Sequence, residues 1–417
     1  MAAVPVQPGQ KRLCYKGGSR ILHMPTPNKP LLSAIAPLLF AMMVGLVGWH
    51  AYRFPSYGID MLGYMENVAA LESPNAGQIH SAVYREIDSN LPEGSRAHLL
   101  GLDNAAPGTQ NASLRDRASN PDHFAEFLPC FAIRPLYVEF LYIVHRLGAS
   151  LVKASVLGSV IPYLALAGLI FLWSSLYVSR AIASMLAFLL VMTPPVLNMA
   201  RMQEPDCLST LWACLALYFI FERGWLTAGF VFLLSSVYVR TDNVLLVLPV
   251  IAYLSLAKNE VGKWKAAALA AVAVASVLAI NHFAGDYGWR MLYYRGFIAP
   301  PLAPGEFVPH FSLGDYKVAL RSGVSALVNG SFGTYFLFGL VGYLASRKRA
   351  IGEIFAIVVI FSAIHFVIFP LPEDRYLALF YVVAGLVVIS GLSTKTKPEA
   401  VERAACRDKD ALPQPLG

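Results

Sequence analysis

The chain has 417 residues, of which 56% are hydrophobic and only 14% are charged, and its mean hydropathy is +0.54. Soluble proteins carry about 25% charged residues, so the composition excludes a water-soluble enzyme and a disordered scaffold. Long continuous apolar runs also exclude a membrane β-barrel, and the net charge of +7 indicates membrane topology rather than a nucleic-acid partner.

The apolar runs are the main structural signal in the chain. A helix rises 1.5 Å per residue, so about 20 residues cross a bilayer core. About ten runs approach this length, at residues 31–49, 154–176, 182–198, 207–222, 225–239, 244–257, 265–283, 327–345, 351–369 and 376–392. The sequence therefore predicts an all-α polytopic membrane protein.

An eleventh apolar stretch, residues 134–148, is short and carries Arg134, Glu139, His145 and Arg146. If it crossed the membrane, every later loop would change sides and the densest basic clusters would lie outside, against the positive-inside rule. We therefore interpret it as an interfacial helix.

This interpretation fixes the predicted topology. The transmembrane domain covers residues 31–392, with long outer loops at 50–153 and 284–326, and the polar tails 1–30 and 393–417 are cytoplasmic. No apolar core with a cleavage site precedes the first span, so we expect a signal anchor rather than a cleaved signal. The absence of eukaryotic retention signals favours a bacterial inner membrane.

Two carboxylates are placed where they could act on a substrate outside the membrane. Asp60 begins a predicted helix in the first outer loop, and Asp206 follows Pro205 at the start of the fourth run. The ordinary explanation is that each caps the N-terminus of its helix. The functional explanation is a general base, or a carboxylate that holds a divalent cation against phosphate.

Two arginines, Arg240 and Arg375, lie at predicted span ends. Such side chains commonly reach towards lipid head groups, but the planar guanidinium also matches a phosphate. His365 lies within a span, where a buried, hydrogen-bonded histidine is the ordinary interpretation and a catalytic one the alternative. Aromatic residues around Tyr293 and His310 fit an interfacial belt or a platform for a sugar or lipid, and Asn111-Ala-Ser113 fits the N-glycosylation pattern.

The order of these features resembles the GT-C superfamily of integral-membrane glycosyltransferases, in particular its protein-mannosyltransferase-like and ArnT-like group. The resemblance covers most of residues 31–392. It rests on a first span followed by a long outer loop with an early aspartate, Asp60, and then on Arg134-Pro-Leu-Tyr137, Arg201-Met-Gln-Glu204-Pro-Asp206, Tyr238-Val-Arg240-Thr-Asp242 and Asp374-Arg375-Tyr376.

The resemblance implies inverting transfer of a sugar from a polyprenyl-phosphate donor to a lipid, glycan or protein acceptor on the outer face. Asp60 would be the base or a metal-binding carboxylate. Asp206 would be the second catalytic carboxylate, with Glu204 as its close competitor. The other implied residues would bind the substrate: Arg134, Glu204, Arg240, Asp242, Arg375 and Tyr376. Met61 follows Asp60, so the Asp-Glu pair of the mannosyltransferase branch is missing, and no cofactor is assigned although a divalent cation fits the chemistry.

A multi-span transporter or lipid flippase is the alternative, because it would also place polar residues at span ends. The sequence shows neither paired broken helices in two halves nor many ionisable groups in the middle of spans, which are the usual signs of that class. A scaffold without chemistry is the third possibility.

Overall fold

The computed structural model describes residues 29–103, 108–298, 301–302, 304–305, 308–346, 348–371 and 373–393, and the elements within these ranges are helices. Most of the two predicted tails, residues 1–28 and 394–417, lies outside the described residues.

The first helix, α1, covers Lys29–Arg53. The first outer loop then folds into short helices, namely α2 (Asp60–Ala70), α3 (Ala76–Asn90), α4 (Glu93–Leu99), α5 (Gly108–Ser119), α6 (Pro121–Ala125), α7 (Leu128–Ala132) and α8 (Pro135–Arg146). A sharp bend of 114° separates the segment Pro121–Ala132 from α8, so α8, which the sequence analysis takes as interfacial, does not continue the line of the preceding helices.

The remaining helices are mostly apolar. They are α9 (Leu151–Ser174), α10 (Arg180–Val191), α11 (Pro194–Arg201), α12 (Asp206–Leu217), α13 (Leu226–Val239), α14 (Val244–Ala252), α15 (Lys263–Phe283), α16 (Gly288–Phe297), α17 (Leu313–Asn329), α18 (Ser331–Ala345), α19 (Arg349–Ile368) and α20 (Ala378–Gly391). Single π-helical turns, Tyr218–Glu222 and Tyr253–Ala257, extend α12 and α14, and short 3₁₀ turns, Thr241–Asn243 and Asp374–Leu377, precede α14 and α20.

The length and composition of these helices identify a membrane protein. Within the described ranges, five helices are long and apolar enough to cross a membrane, or up to eight if each of three bent helix pairs crosses as one span. The predicted run 182–198 is such a pair, because α10 ends before Pro194 and α11 continues at an angle of 67°. The run 327–345 corresponds to α18 and the last residues of α17, and these two helices meet at 61° across Gly330.

Two hydrophobic cores hold the fold together. The larger one lies between the apolar helices and includes Trp173, Leu217 and Phe380. The smaller one surrounds Tyr64 and Tyr137 in the predicted first outer loop and extends to Leu208 on α12 and Val239 on α13. Complete burial of one large apolar side chain stabilises a protein by about 1.5–3 kcal/mol. The smaller core therefore gives the outer loop a fixed shape of its own.

Helix α2 is the centre of the smaller core, and its residues from Met61 to Ala69 are buried. A side chain at Gly63 would overlap the ring of Phe131 on α7, so this glycine lets the two helices approach closely. The result is a rigid platform that carries Asp60 at its first turn.

The same packing rules out the N-glycosylation interpretation for the folded chain. Asn111 is buried within the outer loop, and its Nδ2 donates a hydrogen bond to the carbonyl of Asp103 at 2.7 Å. A transferase cannot reach an amide nitrogen in this position.

Candidate functional site

Asp60 does not cap its own helix. Although α2 begins at this residue, no side-chain cap hydrogen bond is formed, and the carboxylate turns to two arginines instead. Nη2 of Arg295 on α16 lies 3.1 Å from Oδ1, and Nη1 of Arg375 lies 3.3 Å from Oδ2. The side chain of Asp60 is 27% exposed, so it remains reachable from outside.

The two ion pairs control the protonation of Asp60. Burial alone would raise the pKa of this carboxyl, but the guanidinium groups of Arg295, Arg375 and Arg134 lower the pKa to about 2. Asp60 is therefore ionised at any physiological pH, and it is a weak base as long as both arginines hold it.

Glu204 lies between α11 and α12, directly beside this pair. Its Oε1 forms an ion pair with Nη1 of Arg375, the same nitrogen that contacts Asp60, while its Oε2 is buried without a hydrogen-bond partner. Burial raises the pKa of Glu204 to about 8, although Arg375 opposes this effect. Glu204 is thus a carboxyl group that can hold a proton near neutral pH.

Asp206 is not a helix cap either, although α12 begins there. Arg240 forms a buried ion pair with Asp206 and a two-point contact with Asp242, at 3.0 Å from Nε and 2.7 Å from Nη2. The arginine is only 8% exposed, so it does not reach towards the head groups. His365 is buried, with Nε2 2.9 Å from Asp242, which confirms the interpretation of a hydrogen-bonded histidine.

Tyr376 lies between Arg240, which pairs with Asp206 and Asp242, and Arg375, which pairs with Asp60 and Glu204. The guanidinium carbons of Arg240 and Arg375 each lie 4.9 Å from the centroid of its ring. Cations over an aromatic face are attracted by its quadrupole, and each such contact is worth about 0.5–2 kcal/mol. The ring therefore fixes the spacing between the two arginines.

Arg134 stands apart from the other arginines of the site. Its guanidinium lies 5.7 Å from the ring centroid of Tyr64, and it is close enough to Asp60 and Arg240 to act on them electrostatically. Within the described ranges it forms no ion pair and no side-chain hydrogen bond. We call the following eight residues the charged cluster: Asp60, Arg134, Glu204, Asp206, Arg240, Asp242, Arg295 and Arg375.

The free space inside the charged cluster is small. A cavity of about 20 Å³ lies among Asp206, Arg240, Asp242, Arg375 and Tyr376, with the hydroxyl-bearing Ser209 and Thr210 in its wall. This volume admits about one water molecule and no sugar. A substrate would therefore have to enter at the exposed edge, where Asp60 lies.

The donor set of the cluster does not fit a bound divalent cation. Asp60, Glu204, Asp206 and Asp242 are each engaged by a guanidinium group, so a cation would have to displace an arginine. Among the described residues, no group of three or more His, Cys, Asp and Glu side chains could hold a metal ion. We derive no step through a metal.

Arg295 is the member of the cluster that the sequence analysis missed. The sequence predicts only an aromatic stretch at this point of the second outer loop, because the partner of Arg295, Asp60, is 235 residues away. Its guanidinium also lies 4.7 Å from the ring centroid of Phe131. The only available signal was a basic residue in a predicted outer loop.

Another buried carboxyl group lies on α2, six residues after Asp60 in the chain. Glu66 has no exposed surface, and neither of its oxygens has a hydrogen-bond partner. Burial raises the pKa of Glu66 well above its usual value, although the buried Arg117 opposes the shift. This residue was also not singled out from the sequence.

Comparison with known proteins gives no match: no protein-family model, no curated protein and no solved structure matches this chain. The functional assignment therefore rests on the geometry and the chemistry of the charged cluster.

Proposed function

We propose that the chain is a membrane glycosyltransferase of the GT-C type, which moves a sugar from a polyprenyl-phosphate donor to a lipid, glycan or protein acceptor. The observation that supports this best is the carboxylate of Asp60, held between Arg295 and Arg375 at an accessible edge of the charged cluster. Such an arrangement combines a group for an acceptor hydroxyl with groups for a phosphate.

The proposal includes the predicted membrane arrangement. Ten spans, with α8 at the interface, place both termini in the cytoplasm and the charged cluster at the outer face of a bacterial inner membrane. The charge pattern of the loops supports this orientation.

The proposed reaction is a single displacement. The acceptor oxygen forms a bond to the anomeric carbon while the bond from that carbon to the phosphate oxygen breaks, and its electron pair leaves with the polyprenyl phosphate. The proton of the acceptor hydroxyl passes to Asp60. No covalent enzyme intermediate forms, so the configuration inverts.

Arg134 is the best candidate to receive the donor phosphate. Arg240 is already paired with Asp206 and Asp242, whereas Arg134 has no ion-pair partner within the described ranges. A guanidinium group that gains a phosphate partner forms charge-assisted hydrogen bonds without leaving a carboxylate behind.

Phosphate binding would also activate Asp60. A phosphate bound by Arg134 offsets the charge of one of the three guanidinium groups that lower the pKa of Asp60, so this pKa rises and the carboxylate becomes a better base for the acceptor. In this scheme the base is strong only when the donor is present, which limits wasteful hydrolysis.

A transporter or lipid flippase remains the alternative, and one observation favours it. The helix pairs α10–α11 and α17–α18 are bent by 67° and 61°, and broken helices are common at transporter binding sites. However, the charged cluster is built mainly from α2 and from the loops before α12, α14 and α20 rather than from these bends.

The deciding experiment compares sugar transfer by the wild type and by Asp60→Asn. Membranes receive a panel of radiolabelled polyprenyl-phosphate sugars, and transfer to endogenous acceptors is measured against a vector control. Asp88→Asn is the matched control, because this carboxylate is exposed in the same outer loop and lies outside the charged cluster. Thermal unfolding in detergent verifies that each variant is folded.

We expect transfer to fall by at least about 100-fold in Asp60→Asn and to be unchanged in Asp88→Asn. Full activity of a folded Asp60→Asn protein would refute Asp60 as the base. No transfer by the wild type with any donor would favour the transporter.

A further inference from the structure

A second cavity lies on the outer side, apart from the charged cluster. It measures about 470 Å³ and is bounded by α16 and the start of α17, with Arg290, Pro309, His310, Phe311, Ser312 and Asp315 in its wall. This volume falls within the roughly 300–1,000 Å³ of small-molecule sites. We call it the α16–α17 cavity.

The side chains that line the cavity restrict the class of ligand that it can bind. Four of the six lining residues carry ionisable or hydroxyl groups, which is unsuitable for a lipid tail. Asp315 is the single carboxylate, and its Oδ2 accepts hydrogen bonds from the backbone nitrogen and the hydroxyl of Ser312, at 2.7 and 2.9 Å. A metal ion would therefore find too few free oxygen ligands.

One cationic group of the cavity lining is available to an acidic ligand. Arg290 and His310 are exposed and, in the part of the chain that the structure describes, neither forms an ion pair or a side-chain hydrogen bond. The carboxylate of Asp315 is engaged by Ser312, as described above. Arg290 and Asp315 leave the lining without net charge, so the guanidinium of Arg290 is the local feature that suits an acidic group, and the cavity is much larger than an inorganic anion needs.

An aromatic wall completes the lining. Phe311 is stacked on Tyr293 of α16, with ring centroids 4.7 Å apart, and Trp289 lies 5.6 Å away at a steep angle. These contacts fix the orientation of the Phe311 ring. A fixed aromatic ring beside hydrogen-bond donors suits the mixed apolar and polar faces of a sugar.

The cavity is connected to Asp60 through one short helix. Arg290 and Arg295 both lie on α16, about 7.5 Å apart along the helix and roughly 140° apart around it. Arg295 contacts Asp60, so the cavity faces away from the charged cluster. An extended molecule could occupy the cavity while its end reaches Asp60 around the helix.

From this arrangement we infer that the α16–α17 cavity binds an acidic carbohydrate, as a subsite for the part of the acceptor that is remote from the reacting hydroxyl. The inference rests on the proposed function for its role, but the binding itself does not. In the bound state the guanidinium of Arg290 contacts the acidic group, and the ring of Phe311 lies against a sugar face.

The test is a binding titration with the detergent-solubilised full chain. The probes are tetragalacturonate, which is acidic, and maltotetraose, which is neutral and of the same length, at about 150 mM salt to suppress non-specific attraction. The variants are Arg290→Gln and, as a matched control, Arg321→Gln, an exposed arginine on α17 that does not line the cavity.

We expect tetragalacturonate to bind at least about tenfold more tightly than maltotetraose, and Arg290→Gln to abolish this preference while Arg321→Gln keeps it. Equal binding of the two probes, no binding of either, or no effect of Arg290→Gln would overturn the inference. Normal binding without any sugar transfer by the wild type would refute the transferase proposal and leave the acidic-carbohydrate site intact.

Discussion

Arg375 and Asp60 are 315 residues apart in the chain, yet Nη1 of the arginine lies 3.3 Å from Oδ2 of the aspartate. The same nitrogen forms an ion pair with Glu204. One side chain at the entry to α20 thus connects the first outer loop with the turn before α12. The accessible carboxylate of the site is held in place by the last apolar helix of the described chain.

Replacing Arg134 should weaken donor binding without unfolding the protein. The Arg134→Gln variant removes a guanidinium that has no ion-pair partner among the described residues, so no carboxylate is left uncompensated. We expect kcat/KM for the donor to fall by roughly 10- to 100-fold, mainly through KM, in steady-state transfer assays.

Two further variants complete that test. Arg134→Lys keeps the charge but loses the planar fork, so it should recover only part of the activity. Arg53→Gln, an exposed arginine at the end of α1, should behave like the wild type. An unchanged KM in Arg134→Gln would show that another cation holds the phosphate.

The Asp206→Asn variant should be clearly less stable than the wild type. Arg240 would keep Asp242 but lose its buried partner, and breaking a buried ion pair costs about 3–5 kcal/mol. Because one partner remains, we expect a loss near the lower limit, about 3 kcal/mol, in a mixed-micelle unfolding titration. The free energy of unfolding of the exposed control, Asp88→Asn, should lie within about 0.5 kcal/mol of the wild-type value. An equally small change in Asp206→Asn would disprove the ion pair between Asp206 and Arg240.

Glu204 should make stability depend on pH in a defined direction. Burial raises the pKa of this residue to about 8 in the folded chain, so its contribution is complete below the unfolded value near 4.5 and is lost as the pH rises through 8. The side chain of Glu204→Gln is neutral at every pH. The melting temperature of the wild type should therefore fall between pH 5 and pH 9 relative to that of this variant. Glu93→Gln, an exposed change in α4, provides the control; parallel curves for wild type and Glu204→Gln would contradict the shift.

The contribution of Glu66 to stability should change with pH in the same direction, but replacing Glu66 should not destabilise the protein. Since burial raises the pKa of Glu66 in the folded state, its stabilising contribution is present below pH 4.5 and is lost at higher pH. At pH 5, Glu66→Gln should unfold near the wild-type temperature, and at pH 9 it should unfold at a higher one. A variant that is less stable than the wild type at pH 9 would mean that the carboxylate has a favourable partner.

Much of the helical architecture could be predicted from the sequence, because the length of an apolar run is a local property. The runs 154–176, 265–283 and 351–369 correspond to α9, α15 and α19. The run 182–198 was wrong as a single straight helix, since Pro194 begins a new helix at an angle. Pro162 lies inside α9 without dividing it, so a proline in an apolar run does not by itself predict where the helix ends.

The site could be predicted as a set of residues but not as a set of pairs. The charge pattern assigned Asp60, Asp206, Arg240 and Arg375 to one side of the membrane, and the structure brings all four together. Local rules favoured helix capping for both aspartates, but distant arginines compete more strongly for them. Arg295 was missed because nothing local to α16 indicates a carboxylate in another loop.

Near neutral pH the protonated Glu204 leaves the charged cluster with three carboxylates and four guanidinium groups, and Glu373 adds one further carboxylate beside Arg375. A donor phosphate at the exposed edge brings additional negative charge, which favours the neutral form of any nearby acid. Glu204, whose pKa of about 8 already lies near neutrality, is the group best placed to respond. In buffer near or above pH 8, donor binding should thus be accompanied by proton uptake from the medium, and affinity for the donor should decline as the pH rises further.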